Sequence, residues 1–439
     1  MSILTRLQAT ILGILVWAAA LFFAPWFYID SFEYPKAIFL IIATGLLTVI
    51  TLAQLILGNA PFSWKKIPIE IKLLGGMVFA ECIAFAFSTN HSLSLAGAPY
   101  RFQGLIGELT LAVFFLNAIH IFRNLLNAPA QKKTSPLRDF FAWVVGSAVI
   151  TSCVSLLPFF IDTSFLSLAA FKNRAYGTFG NPNYLAVFLI GLTPLLSIFF
   201  ASKYRIVRAI AYISFAIILV TLFLTGCRSA WIALIAGLVV AAILTIKKKR
   251  SYKMLLIISI IIAIMISIFV FQRYNETKIF HRLSLTEDNT GSVTTRLYLQ
   301  EAGLKLFLTR PVFGIGQDTI VDQIEPYLPE YLKANSVFYI DRTHNEFLDV
   351  LVMQGMVGFL AYISFWVVLI WNAMKHYLHK KYKKDESDRE KIFLLCLASI
   401  LAILLYYAMN FATISGNILL YLLAGYIIAE QYITPSRQS

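Results

Sequence analysis

Charge is scarce in this chain. Asp, Glu, Lys and Arg make up 14% of its 439 residues, against 59% hydrophobic residues. A mean hydropathy of +0.74 then excludes an ordinary soluble domain. Cysteine is scarce too. Cys82, Cys153, Cys227 and Cys396 lie within or beside apolar runs, and none has metal-ligand spacing. That excludes a cysteine-built metal centre and leaves them as small core residues. Internal repeats are missing, and mid-span ionisable residues are few, Glu81 and Glu108 among them. Both absences count against a transporter, which places such groups at the bilayer centre and often repeats its fold.

What is present is a succession of apolar runs. They predict an all-α polytopic bundle of about twelve membrane helices, the first near residues 7–29 and the last near 414–432. Arg6 precedes the first run and Ala18, Ala19 and Ala20 interrupt it, as in a cleavable signal. The run nevertheless continues through Phe22 and Phe23 to Trp26, which favours a membrane span.

The formal charge of +14 raises nucleic acid as a partner, but its distribution argues otherwise. Basic residues crowd alternate connectors, as at Lys247–Arg250 and Lys380–Lys384. The intervening ones hold little more than Lys36, Arg101, Lys172, Arg174 and Arg228. This is the positive-inside pattern. It predicts a multi-pass protein of the cytoplasmic membrane with both termini cytoplasmic and no nucleic-acid surface.

One polar interruption divides the chain into a membrane bundle over 1–271, an external loop over 272–351 and a second membrane part over 352–439. Orientation places that loop in the periplasm. Within it, Ser292-Val-Thr-Thr295 reads as a helix start. Leu297, Leu304 and Leu308 recur at helical spacing, and Pro311 stops the pattern. Arg296 falls in the first turn, where the helix dipole disfavours a cation. It is either a solvated surface group or one placed for a ligand. Pro311–Gly316 (PVFGIG) is a backbone-exposing turn followed by Gln317. The aromatics Tyr327, Tyr331, Phe338 and Tyr339 suit interfacial packing or a flap. Arg342, His344 and Glu346 precede the next span. His344 is an interfacial anchor or an acid–base group titrating near neutrality.

Other arginines gather on the same side. Arg228 opens a membrane helix within Thr225-Gly-Cys-Arg-Ser-Ala-Trp231, an expensive position for a cation unless it serves a polar site. Lys172 and Arg174 lead into a Gly/Asn turn, where Asn181 and Pro182 read as a helix cap and first helical position. Arg101 lies among aromatics at another outer boundary. Guanidinium forks bind phosphate oxygens bidentately and stay charged at low dielectric.

The stretches GTFGNPNYLAVFL (177–189), TGCRSAW (225–231), TRLYLQEAGLKLFLTRPVFGIG (295–316) and RTHNEFLDVLVMQGMVG (342–358) resemble the O-antigen ligase superfamily. It comprises O-antigen ligases, O-antigen polymerases and protein O-oligosaccharyltransferases. The resemblance covers residues 170–375 by motif. It implies metal-independent, cofactor-free transfer of a glycan from an undecaprenyl-pyrophosphate donor to an acceptor hydroxyl, most simply that of lipid A–core. It implies pyrophosphate binding by Arg228 and Arg296 and acceptor activation by His344. Arg174, Lys172, Arg101, Asn181, Arg342 and Gln317 are the further candidates for substrate binding. A glycolipid transporter or flippase is the alternative of another class.

Overall fold

The computed structural model describes residues 3–27, 30–57, 67–98, 100–128, 136–160, 174–247, 292–335, 340–380 and 387–432. Among them the chain is all-α, as its apolar runs predict. The helices are α1 (Ile3–Leu21), α2 (Glu33–Leu57), α3 (Ile69–Ala86), α4 (His91–Ala96), α5 (Leu105–Leu126), α6 (Pro136–Leu156), α7 (Pro182–Leu196), α8 (Arg205–Leu224) and α9 (Arg228–Lys247). They continue as α10 (Ser292–Thr309), α11 (Ile320–Gln323), α12 (Glu330–Asn335), α13 (Glu346–His379), α14 (Ser387–Tyr407) and α15 (Ile414–Gln431).

Nine helices among the described residues are long and apolar enough to cross a membrane. Two more expected spans are also helices. α3 carries Glu70, Lys72 and Glu81, and α9 is apolar over Arg228–Leu244, the part of it whose side chains are described. The span expected at 254–271 and the loop's first part, 272–291, lie outside the described residues. The expected count of twelve therefore stands unconfirmed.

The helices are layered by how their apolar surface is used. The membrane windows of α15, α7 and α14 are 94%, 89% and 83% buried, while that of α2 is 22% buried. The first three are apolar all round and form the centre; α2 keeps one face for lipid. Small residues allow close approach: a Cβ at Gly425 of α15 would meet Ala118 of α5 at 2.8 Å, the packing logic of helices in lipid.

Local chemistry sets the helix starts. Asn181 accepts from the Asn183 N–H, with Pro182 in the first turn. Asn345 accepts from Phe347 and Leu348, and Thr413 from Gly416. Each satisfies N–H groups that have no partner inside the helix. α10 begins and ends where its Ser/Thr start and Pro311 predict. Its buried face, however, is Leu299, Ala302 and Leu306; Leu297, Leu304 and Leu308 are exposed. Both leucine stripes have helical spacing. The face with Gly303 wins because the missing side chain lets α10 lie close to Thr343.

α13 is broken at Gly355, whose φ of 65° and ψ of −169° belong to a region open essentially to glycine. The break frees backbone groups, and the PVFGIG turn satisfies them. Met356 and Val357 donate to the carbonyls of Pro311 and Val312 at 2.8 and 3.2 Å, while Ile315 and Gly316 donate to Val352 and Met353 at 3.2 and 2.9 Å. A Cβ on Gly355 would collide with the Val312 carbonyl, and one on Gly314 with that of Met353. The turn that reads as a ligand approach is thus bonded to the bundle itself.

Gly355→Ala should therefore lower unfolding stability by about 1–3 kcal/mol from backbone strain alone. Gly45→Ala, where a Cβ meets nothing within 4 Å, should be neutral or stabilising by up to ~1 kcal/mol. Denaturant titration of the two variants in detergent tests the contrast.

Candidate functional site

The polar groups converge at the end of the bundle where α5, α7, α9, α13 and α15 begin and α14 ends. Its hub is the turn between α14 and α15. Arg296 reaches down from α10 and donates to the Met409 carbonyl at 3.0 Å and to Asn410 Oδ1 at 3.3 Å. Asn410, wholly buried, donates in turn to Ser229 Oγ at 2.5 Å, and Ser229 follows Arg228 in the first turn of α9. The start of α13 joins from the other side. Its Glu346 N–H donates to the Asn410 carbonyl at 2.8 Å, and its carboxylate accepts from Ala412 at 2.7 Å.

Phe411 carries the third contact of the turn. The His344 ring lies on one flank, its centroid 5.0 Å away, and the Arg101 guanidinium lies over the ring at 4.1 Å. Tyr184 meets it edge-on at 6.0 Å. Loop, α5 boundary and bundle therefore share one aromatic ring.

Two buried arginines brace this assembly. Arg101 grips Asp341 with Nε at 2.5 Å and Nη2 at 3.1 Å, and Nη1 donates to the Tyr184 hydroxyl. Burial alone would raise the Asp341 carboxyl, but Arg101 beside it holds it below its ordinary value. Arg342 pairs with Asp318, donates to Gln103 Oε1 at 2.7 Å and has Asp349 4.0 Å away. Phe102, Asp318 and His344, next to these pairs, are non-glycine residues held at positive φ (52°, 58° and 59°). Strain of this kind persists only where surrounding contacts over-determine it.

The sequence candidates thus separate by what occupies them. Arg101, Arg342, Asn181 and Gln317, expected to bind substrate, all have internal partners. Asn181 caps α7, and buried Gln317 donates to the Glu81 carbonyl at 2.9 Å and accepts from Ser94 at 3.0 Å. Arg174 donates from Nε to the Thr225 carbonyl at 2.7 Å, so it sits over the same turn that presents Arg228. Lys172 lies outside the described residues. Half-buried Arg228 has neither an ion pair nor a hydrogen bond to its guanidinium among the described residues. A guanidinium held this way at a helix start is a ready anion ligand.

His344 is half-buried, and its Nδ1 is enclosed without a hydrogen-bond partner among the described residues. Burial, and after it the nearby charges of Arg296 and Arg101, push its pKa down to about 4. The imidazole is neutral at physiological pH and able to accept a proton. Asn410, Phe411, Ser229 and Asp341 escape the sequence reading. An Asn-Phe pair between two apolar runs and a hydroxyl beside an arginine carry little signal until the fold brings them together.

Two outcomes follow. Asp341→Ala leaves Arg101 buried without its carboxylate and should cost about 3–5 kcal/mol of stability, whereas Arg228→Ala should stay within ~0.5 kcal/mol. For His344 the folded pKa lies below the unfolded one. Its contribution to stability is full above the unfolded value near 6.5 and is lost as pH falls through about 4. Unfolding midpoints measured from pH 7.5 to 4 should fall more steeply in the wild type than in His344→Gln.

Residues 213–363 match the family model described as O-antigen ligase. That stretch holds Arg228, Arg296 and His344 together with the broken half of α13. An uncharacterized protein of Haemophilus influenzae is 25% identical over 319 residues, spanning 70% of this chain and 74% of its own length. The match over residues 213–363 supports membership of this multi-pass membrane protein in the O-antigen ligase superfamily, a family of ligase- and polymerase-type membrane glycosyltransferases.

Proposed function

We propose that the protein transfers a glycan from an undecaprenyl-pyrophosphate carrier to an acceptor hydroxyl at the periplasmic face of the cytoplasmic membrane. The acceptor in this reading is lipid A–core, as in an O-antigen ligase. The observation that carries it is the Asn410–Ser229 bridge, which links Arg296 of the loop helix to the turn presenting Arg228, with His344 on the adjoining ring of Phe411.

The chemistry runs as a displacement. The acceptor oxygen forms a bond to the anomeric carbon while the bond from that carbon to the diphosphate oxygen breaks, and its electron pair stays on the diphosphate. Arg228 and Arg296 neutralise the charge that grows there, a task guanidinium forks perform without a metal. Neutral His344 orients the acceptor hydroxyl and takes its proton. The low affinity of the imidazole for a proton reflects burial first and then the charges of Arg296 and Arg101. A bound diphosphate offsets their charge and makes the ring a stronger base during turnover. Arg174 extends the basic rim beside Arg228. Arg101, Arg342, Asn181 and Gln317 act as positioning residues, because their polar atoms already hold the turn and loops in place.

Purified protein in nanodiscs, supplied with undecaprenyl-pyrophosphate glycan and lipid A–core, should release undecaprenyl pyrophosphate. Arg228→Ala, Arg296→Ala and His344→Ala should each reduce that release about 100-fold or more with folding intact. Near-normal turnover in all three variants would sink the assignment. Movement of intact glycolipid across the bilayer without carrier release would identify a flippase instead. Product formed only with a second lipid-linked glycan, or with a protein hydroxyl, would move the reading to a polymerase or a protein transferase.

A further inference from the structure

The helix that delivers Arg296 is apolar on two opposite faces. Leu299, Ala302 and Leu306 of α10 are buried in a small core with Ile320 and Leu348. Leu297, Leu304 and Leu308 form a second row, and each is between 50% and 71% exposed. At 3.6 residues per turn the three side chains fall within about 40° of one another, along ~16 Å of helix. Glu301 and Lys305, paired at 2.7 Å, flank the row on one side. A helix apolar on one face needs one partner, and α10 has surface for two.

Two contacts fix how α10 lies. Near its start, Arg296 donates to the Met409 carbonyl, just beyond the last residue of the membrane-length helix α14. Past its end, Arg310 donates to the Phe87 carbonyl at 3.0 Å, one residue beyond α3. Phe313 stacks on Phe87 there, with ring centroids 4.7 Å apart. Both contacts lie where helices leave the bundle. A helix tied at each end to that level runs along the bilayer boundary and does not stand away from it. The exposed row also runs into the lipid-facing surface of the bundle. Val312, beyond the end of α10, is half exposed and accepts from the Val357 N–H at 3.2 Å. From there Met356, Leu360, Val367 and Trp371 are exposed at helical spacing on the membrane span of α13. Contiguous apolar surface of this kind marks an interaction site, and the phase that meets its α13 part is lipid.

We propose that α10 is an interfacial helix whose partner is the phospholipid leaflet at the hub end of the bundle. Leu297, Leu304 and Leu308 sink among the acyl chains, and Glu301 and Lys305 stay at the headgroups. Helices of this type bury their apolar face ~5–10 Å into that boundary. Arg296 lies in the first turns of the same helix, so the leaflet helps to set the depth at which its guanidinium meets the turn between α14 and α15. Lipid contact at α10 requires no transfer chemistry, and its depth is read without substrate.

Nitroxide labels at Leu304→Cys, Leu308→Cys and Lys305→Cys, one at a time, test this in the full chain. Exposed Cys82 and Cys153 are replaced by serine, while Cys227 and Cys396 are buried. The labelled positions are exposed, where substitution leaves the fold intact. In phosphatidylcholine–phosphatidylglycerol nanodiscs, power saturation with oxygen and with a water-soluble nickel chelate reads the depth of each label. The labels at positions 304 and 308 should lie ~5–10 Å below the lipid phosphates, relaxed more by oxygen than by nickel, and the label at position 305 nearer the phosphates. Labels at 304 and 308 that nickel reaches as readily as oxygen would put the row in water and overturn the proposal. Labels shielded from both relaxers would put it under protein, a second copy or another segment of the chain, and overturn it equally.

Discussion

Four backbone hydrogen bonds across the break at Gly355 hold the two halves of the site together. A membrane helix cannot leave N–H and C=O groups unpaired, because lipid offers them no partner. Here the missing partners come from Pro311–Gly316, so the segment between α10 and α11 is stitched into the bundle. From that seam the chain runs in one direction to α10 and Arg296, and in the other to Gln317, Asp318 and the pair with Arg342. His344 lies at the head of the same broken helix. Glycine at 314 and 355 is required because the two backbones approach too closely for any Cβ.

The arginines of this end divide into those that build and those that are poised. Arg101 and Arg342 are buried with carboxylates matched to their forks. Such pairs add little net stability, but they fix geometry, since a buried charge tolerates no other arrangement. Among the described residues Arg228 has no carboxylate partner, and Arg296 is met by neutral acceptors, a carbonyl and a carboxamide. Two guanidiniums that no described carboxylate neutralises are what the proposed diphosphate would find. His344 is kept neutral by burial and then by Arg296 and Arg101, which leaves a proton acceptor at the same end of the bundle.

Much of the fold was legible from residue chemistry. The apolar runs, the Asn181-Pro182 start of α7 and the limits of α10 follow from periodicity and capping, which are local properties. The candidate site was legible in part: Arg228, Arg296 and His344 stand out because each is an expensive residue at an interface. The face α10 buries was not legible, since both of its leucine stripes satisfy the helical period and the choice rests on Gly303 fitting against Thr343. Nor were the internal roles of Arg101 and Arg342. Their partners Asp341 and Asp318 lie more than two hundred residues away in one case and across a loop in the other.

By itself, then, the sequence determined a polytopic all-α membrane protein, its helix starts and the residues whose cost demands a function. Those are decided by hydropathy, capping and charge, which act over a few residues. Tertiary structure alone decided which arginines are neutralised and that Asn410 and Phe411 form the hub. Those outcomes depend on which distant groups are brought within hydrogen-bond reach, and local sequence carries no record of that distance.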